Sequence, residues 1–327
     1  MKAFLNLVRW QNLLIVIMTM VLMRYAVIKP VINKIGVVLV NGNGEELPMT
    51  LQYSLVDFIL LVLATVLLTA GGYVINDYFD IRTDLINKGR VIVGTKIPRR
   101  QAMMWHNIFN VTGVAVGFYI SWKSGYLWLG TMFLLVSGLL YFYSASYKRQ
   151  FLIGNLVVSV LVGMVPLLVV IYEWPALYRY YSVNAVSMPD IDMIFYWVGG
   201  FAVFAFLTTL TREIIKDIED FEGDRAYGRN TVPVMLGITS AKIISVALLA
   251  ITIALLYLTW YMFINDRITL IYISAAVAAP LVLVIIGVIR SSSKKHLHSA
   301  SSLMKIVMMT GILYSVVVKI ILSWNLY

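Results

Sequence analysis

The sequence predicts an all-α integral membrane bundle of nine transmembrane helices, and three observations predict it. Hydrophobic residues make up 61% of the 327 positions and charged residues 13%, a balance that soluble cores do not have. The apolar residues come in runs longer than the roughly 18 residues that mark a spanning helix. Most links between the runs are short, so nothing marks a soluble module and residues 1–327 read as a single transmembrane domain.

The first run, over about 10 to 30, follows a charged start. Met1 to Tyr25 has the outline of a signal peptide, but no small-x-small cleavage site follows and the later segments are equally apolar, so it reads as the first spanning helix. The remaining runs place helices at about 53–76, 101–122, 126–144, 151–172, 194–216, 241–264, 268–290 and 304–324. Two links are longer, Asn33 to Thr50 with its Asn41-Gly42-Asn43-Gly44 turn signal, and Glu173 to Asp192. Both fall on one side of the bundle.

Charge orients the bundle. Of the 26 Lys and Arg, 19 lie on the side of the N-terminus and seven on the other, and the positive-inside rule then puts the N-terminus in the cytoplasm and the C-terminus outside. The net charge of +10 is therefore a topological signal and not the mark of a nucleic-acid partner. Arg290-Ser-Ser-Ser-Lys-Lys-His reads as a cytoplasmic loop drawn to anionic membrane lipid. Cysteine is absent, which excludes a disulfide framework, a thiolate metal site and a thiol nucleophile. His106, His296 and His298 lack metal-ligand partners at useful spacing and read as interfacial, while Gly71-Gly72 reads as an easing of helix packing.

The chemistry is concentrated at two helix ends. Asn76-Asp77-Tyr78-Phe79-Asp80-Ile81-Arg82-Thr83-Asp84 closes the second run. If the helix continues through it, Asp77, Asp80 and Asp84 stack on one face. Lys216-Asp217-Ile218-Glu219-Asp220-Phe221-Glu222-Gly223-Asp224 closes the sixth run with the same DxxDxxxD spacing, and its aspartates follow the first set at one constant offset, as an internal repeat would. The two ends lie four spans apart and so emerge on one face, as in a parallel repeat. Like charges crowded at the mouth of a membrane helix call for a cation, and Mg²⁺ bridging carboxylates to substrate phosphates is the expected one. Solvated loop charge is the bland alternative; it suits one aspartate better than two matched triads.

These motifs resemble those of the UbiA superfamily of intramembrane prenyltransferases. The family's first motif, NDxxDxxxD, is met in full by Asn76, Asp77, Asp80 and Asp84, and the ending of its second by Asp220 and Asp224, preceded by Lys216 and Asp217. The resemblance implies a nine-helix fold and Mg²⁺-dependent transfer of a prenyl group from a prenyl diphosphate. It implies that Asn76, Asp77, Asp80, Asp84, Asp217, Asp220 and Asp224 hold metal, and that Asp77, Asp80, Asp220, Asp224 and Lys148 carry catalysis. It further implies that Arg90, Lys148 and Lys216 bind the diphosphate. The departures are specific. Val91 follows Arg90 where the family has proline, Tyr143 stands one residue too far from Lys148 with Ser144 in the expected place, and Trp10 replaces proline between Arg9 and Asn12. Arg9, Asn12 and Tyr143 are accordingly candidates for the acceptor. A diphosphate leaving group independently needs metal and Lys or Arg to neutralise its growing charge, and an allylic cation needs aromatic faces and a dry cavity.

The run NDYFDIRTDLIN with its basic loop resembles the branch acting on geranylgeranylglyceryl phosphate. A phosphorylated acceptor would also partner surplus cations such as Arg9, Lys88, Arg225 and Arg229, although the positive-inside rule alone could supply them. An aromatic quinone precursor such as 4-hydroxybenzoate or a naphthoate is the second reading. A polyprenyl phosphate transporter is the rival from another class, disfavoured by two metal-type clusters at one fixed mouth. An inactive binding protein is disfavoured because no motif aspartate is replaced.

Overall fold

The structure is a computed structural model that describes residues 1–35, 39–89, 91–187 and 190–323. Among these residues nine long helices run as α1 (Trp10–Lys34), α2 (Leu55–Phe79), α3 (Arg99–Ser124), α4 (Leu127–Ala145), α5 (Ile153–Asn184), α6 (Met193–Glu219), α7 (Ile238–Ile264), α8 (Arg267–Ile289) and α9 (Lys294–Ser323). Eight are long and apolar enough to cross a membrane. The other, α3, is as long but starts with Arg99-Arg100-Gln101 and carries His106, Asn107 and Asn110 on its first turns. Many outward side chains are large and apolar, among them Ile251, Leu258, Tyr261 and Phe263 on α7, as a lipid-facing surface requires.

Local chemistry sets several helix boundaries. Ser54 caps α2 by accepting the Asp57 backbone N–H at 3.1 Å, and Asp266 caps α8 by accepting the Thr269 backbone N–H at 2.8 Å. Gly125 ends α3 at φ 80°, a conformation with no Cβ penalty for glycine. Two helices contain a widened turn just before proline: Met23–Ile28 ahead of Pro30, and Ile273–Ala278 ahead of Pro280. Proline has no N–H to give and its ring crowds the carbonyl four residues back. For Pro280 that carbonyl belongs to Ala276, and Thr310 of α9 donates to it at 2.8 Å.

The helices pack in two groups. α2 lies along α3 and both meet α4; α5 lies along α6; and α6 also meets α7 and α9. One apolar core gathers residues such as Met20, Leu61, Leu129, Val170 and Ile194, and a second gathers Ile214, Leu249, Leu281 and Val307. Gly71 and Gly72 do ease packing: a Cβ on Gly71 would sit 2.5 Å from Asn110 Nδ2 and one on Gly72 3.0 Å from Leu140.

Three expectations change. Arg290-Ser-Ser-Ser-Lys-Lys-His is a loop only as far as Ser293, because α9 already begins at Lys294. Glu173 does not begin a loop, because α5 continues to Asn184 through Pro166 and Pro175. It is 1% exposed, accepts the backbone N–H groups of Gln52 at 2.7 Å and Tyr53 at 2.9 Å, and lies 3.8 Å from Arg24. A charge satisfied by the chain entering α2 does not need to end a span. His106 is buried and not interfacial: its Nδ1 is 3.0 Å from the Gly71 carbonyl and 3.0 Å from Asn110 Nδ2.

The two longer links do share a side. The Asn41 side chain accepts the backbone N–H groups of Asn43 and Glu45 at 3.0 and 2.9 Å, closing the turn between β1 (Leu39–Val40) and β2 (Glu46–Leu47). Val186 donates its N–H to the Val40 carbonyl at 2.9 Å, joining the link after α5 to this hairpin.

Candidate active site

Both acidic motifs break their helices at the middle aspartate. α2 stops at Phe79, Asp80 adopts φ −87°, ψ 1°, and a short helix follows over Ile81–Lys88. α6 stops at Glu219, Asp220 adopts φ −94°, ψ 9°, and Phe221–Ala226 follows. The hydrogen bonds repeat too: Asp80 N–H donates to the Asn76 carbonyl at 3.0 Å and Asp220 N–H to Lys216 at 2.8 Å. Asp84 N–H then donates to Asp80 and Asp224 N–H to Asp220, at 2.8 and 3.0 Å. The internal repeat is thus a repeat of geometry. The expected uninterrupted helix face is not formed, because the chain bends at Asp80 to bury that carboxylate.

Asp80 is 2% exposed. Lys148 donates to its Oδ2, and Arg229 donates to its Oδ1 at 2.6 Å while also donating to Thr83 Oγ1 at 2.7 Å and Asp224 Oδ1 at 3.4 Å. Burial alone would raise the Asp80 carboxyl, but the two cations outweigh it and hold it down to about 2. Asp224 faces the same burial with a weaker claim on Arg229 and is pushed up to about 6. Lys148 also donates to Asn76 Oδ1 at 3.0 Å.

Sequence reasons for this placement lie nearby. Lys148 sits on the turn Tyr147–Arg149, which packs against the start of α5. A Cβ on Gly154 would come within 2.8 Å of the Lys148 Cα, so glycine is what lets the turn close there. Arg229 follows the second motif in a link whose Asn230 N–H donates to the Arg149 carbonyl at 2.9 Å. The motif helices themselves touch where a Cβ on Gly223 would meet the Asn87 side chain at 2.3 Å.

The motifs open on a cavity of about 910 Å³ whose walls include Asn76, Asp77 and Asp84 from the first motif and Lys216, Asp217, Asp220 and Asp224 from the second. Arg9, Asn12, Tyr143 and Lys148 also line it. Arg9 donates to Asp77 Oδ1 at 2.9 Å and lies over the Tyr73 ring at 4.8 Å, while Asn12 donates to the Tyr73 hydroxyl at 3.1 Å. Tyr143 faces the cavity, whereas Ser144 turns back to donate to the Leu140 carbonyl at 3.0 Å. The tyrosine displaced in sequence is therefore the one on the cavity wall. Asp80 is not on the wall, since both of its oxygens are engaged behind it. Arg90 lies outside the described residues.

The lining residues that escape the motif reading include Asn155, Arg212, Glu213 and Lys305. Asn155 donates to Asp217 Oδ2 at 2.8 Å. Glu213 accepts from Arg212 at 3.0 Å and from Lys216 at 3.5 Å. A signal existed, because Arg212 and Glu213 precede Lys216 and Asp217 by one turn, so charge extends a turn into an apolar helix. Deeper walls are apolar, including Leu161, Val165, Phe201 and Met308.

The donor chemistry fits Mg²⁺. Hard oxygen donors face one another from two walls, and the cations on Asp77, Asn76, Asp80 and Asp224 show that these groups attract positive charge in place. Among the described residues no three carboxylates converge as a closed cage. That suits Mg²⁺, which keeps waters and substrate phosphates among its ligands.

A pocket with an anionic-head site at a helix mouth and an apolar depth inside the bundle defines an intramembrane enzyme for a lipid-like polyanion. The chain belongs to the UbiA prenyltransferase family, whose model matches residues 48–309. It is 31% identical over 256 residues to the digeranylgeranylglyceryl phosphate synthase of Methanosphaera stadtmanae, covering 77% of this chain and 84% of that one. It is 27% identical over 307 residues to the synthase of the same name from Thermococcus kodakarensis, covering 93% of each. Its fold is similar to an apo UbiA homologue from Aeropyrum pernix, with a TM-score of 0.59 at 17% identity over 90% of this chain and 97% of that one. It is also similar to an Archaeoglobus fulgidus UbiA homologue solved with DMAPP and Mg²⁺, with a TM-score of 0.51 at 20% identity over 96% and 99%.

Proposed function

We propose that this prenyltransferase moves a geranylgeranyl group from its diphosphate to the free hydroxyl of geranylgeranylglyceryl phosphate. The observation that carries the diphosphate half is the convergence of both acidic motifs on one cavity that is charged at the mouth and apolar within. The relatives named above support the acceptor half.

Asn76, Asp77, Asp84, Asp217, Asp220 and Asp224 are the residues that would hold Mg²⁺. When bound, the metal neutralises charge on the departing diphosphate. The chain's own cations do related work: Lys148 and Arg229, fixed on Asp80, aim positive charge at the same space, and Lys216 adds to it from the second motif. The allylic C–O bond breaks with its electron pair on the diphosphate, the acceptor oxygen bonds to the allylic carbon, and the hydroxyl proton passes to a diphosphate oxygen. Tyr143 presents an aromatic face to the cationic carbon, and the apolar walls keep water from intercepting it.

The test is a competition. Purified protein given geranylgeranyl diphosphate, Mg²⁺ and equal geranylgeranylglyceryl phosphate, 4-hydroxybenzoate and a naphthoate should prenylate the lipid phosphate alone, as read by mass spectrometry. Prenylation of an aromatic acid with the lipid phosphate left untouched would establish the quinone-precursor reading instead.

Topology belongs to the same proposal. The 19 basic residues on the N-terminal side against seven opposite support a cytoplasmic N-terminus and active-site mouth and an external C-terminus. Asn184, exposed at the end of α5, is then external. A cysteine placed there, in a chain with none of its own, should react with an impermeant maleimide added outside the cell. Labelling only after the cytoplasmic face is opened would reverse the orientation.

A further inference from the structure

Positive charge in the cavity extends beyond what the motifs use. At the mouth, Arg9 is committed to Asp77, Lys148 to Asp80, and Arg229 to Asp80 and Asp224. One turn deeper on α6, Glu213 is shared by Arg212 and Lys216. Lys305, an exposed residue of α9, lines the same cavity, with Arg212, Arg9, Glu213 and Glu219 as the charges around it. Glu219 is itself engaged by His298 at 2.9 Å. Lys305 makes no hydrogen bond among the described residues, and the buried Nε of Arg212 has no partner. Arg212 and Lys216 share one carboxylate and the exposed Lys305 brings a third positive charge to the same cavity, so an anion among them offsets their mutual repulsion.

We infer that Arg212 and Lys305 form the subsite for the phosphomonoester of the acceptor, separate from the site for the diphosphate. This rests on the acceptor reading above. A phosphomonoester carries close to two negative charges and three acceptor oxygens, matching a guanidinium fork from α6 and an ammonium from α9 on one cavity wall. Its position fits as well. Arg212 precedes Asp217 by five residues, which is about 7.5 Å of helix rise, so an anion there lies beside the metal-type ligands and not among them. In glycerol phosphate the free hydroxyl is one carbon from the esterified one, and a headgroup held by Arg212 and Lys305 would turn that hydroxyl towards the allylic carbon. Three of the surplus cations named in the sequence are otherwise engaged: Arg9 pairs with Asp77, Arg229 is internal to the motifs and Arg225 lies over the Phe221 ring at 6.0 Å.

Steady-state kinetics of Arg212→Gln and Lys305→Gln test the assignment. Each variant should raise KM for geranylgeranylglyceryl phosphate by about tenfold, the scale of one charge-assisted hydrogen bond, while KM for geranylgeranyl diphosphate stays within about twofold. Geranylgeranylglycerol, which lacks the phosphate, should be turned over equally by wild type and variants, and Arg212→Lys should recover part of the lost affinity. Equal rises in both KM values would assign the pair to the diphosphate, and an unchanged acceptor KM would remove the subsite; either overturns the inference. If wild type itself ignores the phosphorylated acceptor, the proposed function fails before the variants are read. Should Arg212→Gln unfold through loss of its Glu213 pair, Lys305→Gln decides alone.

Discussion

Replacing Asp77 or Asp220 by alanine is expected to remove nearly all turnover, by roughly 10³-fold or more, which corresponds to about 4 kcal/mol of transition-state stabilisation. The two residues stand on opposite cavity walls, at corresponding ends of α2 and α6. Among the described residues no three carboxylates converge on one point, so a metal held here would draw ligands from both walls together with diphosphate oxygens. Asp77→Asn separates charge from shape, because an amide oxygen can still accept from Arg9 at the 2.9 Å position of the carboxylate. It should be about as inactive as Asp77→Ala while unfolding at the wild-type temperature. Excess chelator should silence the wild type in the same assay, and Mg²⁺ should restore it. Wild-type rates from Asp77→Ala or Asp220→Ala in chelator would sink the metal hypothesis for this chain.

The spans and both motifs were legible because each rests on a local signal. Apolar runs report lipid exposure directly, and the matched aspartate spacing survives as geometry at Asp80 and Asp220. What was illegible depended on partners distant in sequence. No glycine or proline announces the helix break at Asp80; its reason is the arrival of Lys148 and Arg229, 68 and 149 residues away. Glu173 was read as the start of a loop because its satisfaction comes from the backbone of Gln52 and Tyr53. The Tyr143 and Ser144 question is one of helical phase: Tyr143 lines the cavity, while Ser144 turns back to the Leu140 carbonyl. Lys305 gave no signal at all, since one lysine on an amphipathic helix is usually solvated decoration.

Arg229→Ala is expected to lose both stability and activity, and the two losses are separable. Its guanidinium is 8% exposed and joins Asp80, Thr83 and Asp224, so it ties the first motif to the second. Removing one partner of a buried pair leaves charge uncompensated, at a cost of about 3–5 kcal/mol. Here Lys148 still reaches Asp80, which puts the expected cost at about 3 kcal/mol, near the low end of that range. The melting temperature in detergent should fall by several degrees. Adding Asp80→Asn to Arg229→Ala removes the stranded carboxylate and should recover part of the melting temperature, since residues in one network couple. It should not recover activity, because Lys148 then loses its ionic anchor and the cavity has one cation fewer beside the diphosphate. A double variant no more stable than Arg229→Ala, or an Arg229→Ala protein that melts with wild type, would show that the two motifs are held in register by something other than this arginine.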